Sequence, residues 1–65
     1  MEEATITKLD NLLERIGALR NSISNISLQS DVDNKALDAL HNANSYLQNA
    51  ELEIEDLIMA EEYKH

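Results

Sequence analysis

The sequence predicts an all-α fold, an antiparallel hairpin of two long helices forming one domain over residues 1–65. Three observations predict it. Apolar residues recur at 3,4 spacing in two runs. The first is Leu9, Leu12, Ile16, Leu19, Ile23 and Ile26. The second is Ala36, Leu40, Ala43, Leu47, Ala50, Ile54 and Leu57. Such spacing keeps one stripe on one side of a helix. The stretch between them, Ser27-Leu28-Gln29-Ser30-Asp31, breaks the pattern. Proline is absent and glycine occurs once, at Gly17, so little interrupts either run.

The first helix is expected at about residues 3–26. Glu2 and Glu3 complement the positive end of its dipole. Gly17 lies off the main stripe and costs this helix about 1 kcal/mol relative to alanine. It marks either tolerance or the close approach of a neighbour. Ser22, Ser24, Asn25 and Ser27 weaken the helix toward its end, because their side chains compete for backbone hydrogen bonds. The turn is expected at about residues 27–30. Ser30-Asp31-Val32-Asp33 has the form of a capping box with Asp at the third helical position. The second helix is then expected at about residues 31–62.

A short turn makes the helices antiparallel neighbours, and facing residue numbers should sum to about 59. That pairs Ile23 with Ala36, Leu19 with Leu40, Ile16 with Ala43, Leu12 with Leu47 and Leu9 with Ala50. Layers of one large and one small residue alternate with layers of two leucines, which lets helices interdigitate. Ile6, Leu13, Leu37 and Ile58 fall outside this seam. A second copy would cover them, giving a homodimeric four-helix bundle. Arg20 and Asn44 sit near the same strip, as does Glu51. Polar residues there either fix register or line a pocket where Arg20 meets an anion. The expected oligomer interface is therefore Ile6, Leu13, Arg20, Leu37, Asn44 and Ile58.

Composition narrows function further. Thirteen acids against five bases give a net charge of −8. No basic footprint exists for direct nucleic-acid binding or for anionic lipid. No apolar run approaches the roughly 20 residues of a membrane span. The start, Met1-Glu2-Glu3-Ala4-Thr5, is acidic where a secretory signal is basic. The expected location is the cytoplasm, or the host cytoplasm for a viral protein. Without cysteine there is no disulfide or thiolate metal site. Only His41 and His65 offer imidazoles. No metal and no cofactor are expected.

The acids are unevenly placed. Glu51, Glu53, Glu55, Asp56, Glu61 and Glu62 crowd the end of the second helix. Glu2 and Glu3 join them at that end of the hairpin, with only Lys8 and Lys64 nearby. Acids there oppose the helix dipole by a few tenths of a kcal/mol each. They form either a solubilising face or a docking surface for a basic protein. Leu52, Met59 and Tyr63 form a third stripe, for self-packing or for a partner's groove. Tyr46 lies on the other flank. No catalytic residue is assigned. The Glu-x-x-His motif of di-iron bundles is absent, as is a Gly-rich phosphate loop, and His41 reads as solvent-facing.

In size and layout the chain resembles the small plasmid RNA-binding hairpins that dimerise into four-helix bundles. The likeness implies the dimer; the RNA-binding role needs a basic face that this chain lacks. Leu37-Asp38-Ala39-Leu40-His41-Asn42-Ala43-Asn44-Ser45-Tyr46 is similar to the Leu-x-x-Leu-x-x-Ala-x-x-aromatic helix of phage-encoded sponges for cyclic nucleotide signals. That likeness implies an anionic ligand held between protomers. The expected function is a non-enzymatic regulatory or inhibitory protein, of a kind that suits a phage or mobile element. It acts through Glu51, Glu53, Glu55, Asp56, Glu61, Glu62, Leu52, Met59 and Tyr63. The alternatives are a nucleotide-like ligand sponge and a purely structural self-assembling subunit.

Overall fold

The computed structural model describes residues 1–63. It contains two helices, α1 over Glu3–Ser27 and α2 over Asn34–Glu62. They pack against each other as a hairpin about 50 Å long and 15 by 10 Å across. Lys64 and His65, considered above as a base and an imidazole, lie outside the described residues.

α1 carries its polar end without breaking. The hydroxyls of Ser22 and Ser27 donate to the carbonyls of Ala18 and Ile23, one turn back, as does Thr7 to Glu3. A hydroxyl used this way no longer competes with the helix from outside it. Leu28 and Gln29 then donate to the carbonyls of Asn25 and Ile26, closing the last turn.

The turn is longer than expected and α2 starts three residues later. Its cap is Asp33, whose carboxylate accepts the Ala36 N–H at 2.8 Å. Ser30 and Asp33 are both residues that cap helices well. Asp33 takes the role, so it stands before the helix rather than inside its first turn. Val32 in the turn is half-buried, and its N–H donates to the Gln29 carbonyl.

The seam itself differs from the pairing expected above. Buried or half-buried positions on α1 follow the series Ile6, Leu9, Leu13, Ile16, Arg20, Ile23 and Ser27, with Gly17 half-buried beside Ile16. On α2 the series is Leu37, Leu40, Asn44, Leu47, Glu51, Ile54, Ile58 and Glu61, and beside it Ala43 and Ala50 are half-buried too. Each is an unbroken 3,4,3,4 series, the repeat that keeps two helices in continuous contact. Arg20 bonds Asn44, and the Met1 ammonium bonds Glu61, so the facing numbers lie in register with 20 against 44. That is roughly one helical turn from the expected pairing.

Two corrections follow. The strip of Ile6, Leu13, Arg20, Leu37, Asn44 and Ile58, assigned above to a second copy, lies in the chain's own seam. Conversely Leu12, Leu19, Ile26 and Ala36, assigned to the seam, are exposed. With the register shifted, the expected layers of Ile23 with Ala36 and Leu19 with Leu40 are not the ones formed, while Ala43 and Ala50 stay half-buried beside the seam. The physical reason is that both stripes share Leu9, Ile16 and Ile23. The longer turn selects between them, and Arg20 finds two partners across the chosen one.

Candidate functional site

Three surfaces carry the candidate residues. The first is the polar side of the seam. Arg20 Nε donates to Asn44 Oδ1 at 3.0 Å, and its Nη1 pairs with Glu51 Oε1. Arginine reaches along the groove toward its own N-terminus while Glu51 leans back to meet it, which is how side chains slant on helices. Arg20 and Glu51 are both partly shielded from water. An open groove of about 620 Å³ lies beside them, lined by Glu14, Gly17, Arg20, Asn21, Ser24 and Asn44. A β-carbon built at Gly17 meets nothing within 4 Å, so no close neighbour explains this glycine. An anion approaching Arg20 in this groove meets a guanidinium already held by a carboxylate.

The second surface is the open end of the hairpin. Glu53, Glu55, Asp56 and Glu62 are exposed and make no ion pair among the described residues. Two acids grouped with them in the sequence are placed otherwise. Glu51 is in the seam with Arg20. Glu61 is only 8% exposed, and its Oε2 accepts from the Met1 ammonium at 3.0 Å. Leu52, Met59 and Tyr63 are exposed on the outward face of α2, among the free acids. A smaller recess of about 250 Å³ lies between the helices here, lined by Asp10, Leu13, Glu55, Ile58, Met59 and Glu62.

The third surface lies outside the expected partner-binding and oligomer residues. Leu12, Leu19 and Ile26 on α1 and Leu57 on α2 are 38%, 54%, 49% and 40% exposed. Exposed Ala36 and half-buried Ala43 and Ala50 continue the Leu57 row along α2. The signal was present, because these positions repeat every seven residues on both helices. The same repeat is what predicts these positions as the seam.

Among the described residues no group of His, Asp and Glu is arranged to hold a metal ion. No described helix is long and apolar enough to cross a membrane. No protein-family model, curated protein or solved structure matches the chain. The likenesses drawn from the sequence thus rest on layout and on one short stretch of α2.

Proposed function

We propose that this is a small non-enzymatic regulatory or inhibitory protein that works by protein–protein interaction. It acts as a homodimer that closes a four-helix bundle, in the cytoplasm, and suits a phage or mobile element acting on its host. The observation that carries the reading is the outward face at the open end. Leu52, Met59 and Tyr63 stand exposed there among the unpaired Glu53, Glu55, Asp56 and Glu62. Neither feature helps the hairpin fold. The acids oppose the α2 dipole, and the three large side chains leave apolar surface in water. A partner with a basic rim around an apolar pocket would match both, since charge steers the encounter and aromatic and apolar anchors hold it.

The sponge reading has one observation for it, the open groove beside Arg20, and one against it, the Glu51 carboxylate already on that guanidinium. Direct binding to DNA or RNA is not part of the proposal. With a net charge of −8 the chain has little with which to displace counterions.

The test is capture of partners from the native host by the immobilised protein. A partner gained through the acidic end is retained at low salt and lost at about 0.5 M, where screening shortens to a few ångströms. A variant carrying Glu55→Gln, Asp56→Gln and Glu62→Gln keeps its helical fold. It loses that partner, mainly through slower association. Full retention by the triple variant at low salt would contradict the proposed docking face.

A further inference from the structure

The proposed dimer needs a surface, and the seam residues first assigned to it are used within the chain. The flank formed by Leu12, Leu19, Ile26, Ala36, Ala43, Ala50 and Leu57 has the properties required. Every one of these positions is seven residues from the next on its helix. Together with the seam they make an apolar arc of three positions in seven. A helix paired with a single neighbour needs only two in seven, whereas a bundle helix uses three. In an antiparallel pair the two equivalent flanks lie on the same side, so both rows form one continuous face.

That face carries no charge. The opposite flank carries Glu3, Asp10, His41, Glu55 and Glu62. Depletion of charge marks the core of an interface. The area points the same way. The chain exposes 5183 Å², against about 4,200 Å² for a compact monomer of 7.3 kDa. The excess, about 1,000 Å², is close to the roughly 800 Å² that each partner buries in a standard interface. Among the described residues the buried apolar side chains are Ile16 and Ile58, and neither is fully enclosed. The core is therefore half built.

We propose that this flank seats the same flank of a second copy. The two-fold axis lies across the length of the hairpin, so the acidic ends sit at opposite ends of the bundle. The proposal rests on the self-association inferred above and adds the face and the orientation. The orientation follows from charge. An axis along the hairpin would bring two ends carrying Glu53, Glu55, Asp56 and Glu62 side by side, where they repel. With the crosswise axis, α1 lies over α1 and α2 over α2. The leucine rows interleave, and the alanine rows let the two α2 helices approach to about 8 Å. A two-fold contact of this kind uses one self-complementary patch and closes at two copies.

Sedimentation equilibrium from 1 to 100 µM tests the face. The wild type and Leu52→Glu, which alters the outward face, should both be dimers. Leu19→Glu should raise the dissociation constant at least 100-fold. A wild type that stays monomeric throughout would overturn the self-association itself. A dimer that survives both Leu19→Glu and Ala43→Glu would overturn the choice of face alone. A spin label on Gln29→Cys, at the exposed turn, tests orientation without touching either surface. Label separations approaching the 50 Å length of the hairpin are expected. Separations under half that length would place the acidic ends together and overturn the orientation.

Discussion

The two flanks of the seam are built from the same helices and read as opposites. On one side stand Leu12, Leu19, Ile26, Ala36, Ala43, Ala50 and Leu57. On the other stand Asp10, Gly17, Ser24, His41, Gln48 and Glu55, with the groove beside Arg20. The polar flank is finished, because its groups either face water or pair as Arg20, Asn44 and Glu51 do. The apolar flank is unfinished. A two-helix hairpin buries one seam, and this chain encodes an arc too wide for it. The difference teaches that burial in the single chain and apolar pattern in the sequence can disagree, and the proposed dimer is a way to reconcile them.

The seam sets the scale for breaking that contrast. Ile16→Ala removes a side chain buried between the helices. It should destabilise by about 2–4 kcal/mol, measured by urea unfolding. In so small a domain that leaves little folded protein at micromolar concentration. A smaller and more telling pair follows. Leu19→Ala should cost about 1–2 kcal/mol at concentrations where the dimer is populated, as the loss of a side chain that becomes buried there. Gln48→Ala, on the polar flank, should fall within about 0.5 kcal/mol of wild type. Equal effects would erase the distinction between the flanks. The smallest effect has the opposite sign. Gly17→Ala places a methyl in open space on the polar flank. It should stabilise by about 0.5–1 kcal/mol through helix propensity, seen as a higher thermal midpoint. A destabilised Gly17→Ala would mean that a second copy packs on the polar flank instead.

Much of the fold was legible because long amphipathic runs announce helices. The first helix ends at Ser27, one residue from its expected end, and the second at Glu62 as expected. The start of α2 was less so, since Ser30 and Asp33 are competing caps three residues apart. Which stripe forms the seam was not legible. The stripe through Leu12, Leu19 and Ile26 is purely apolar, whereas the one chosen includes Arg20, Ser27, Asn44, Glu51 and Glu61. Counting apolar residues favours the first. What it misses is that Arg20 meets Asn44 and Glu51 across the hairpin, partners 24 and 31 positions away. Glu61 escaped for the same reason. Its bond to the Met1 ammonium joins residues 60 positions apart, and nothing in the local pattern near Glu61 foretells it.

The central claim is that the hairpin completes its core with a second copy of itself, and concentration tests it most directly. If folding and pairing are one event, the free energy of unfolding per dimer rises by about 2.7 kcal/mol for each hundredfold increase in protomer concentration. Thermal midpoints followed by circular dichroism from 1 to 100 µM should therefore climb for the wild type and stay flat for Leu19→Glu. A wild-type midpoint that does not move across that range would contradict the account.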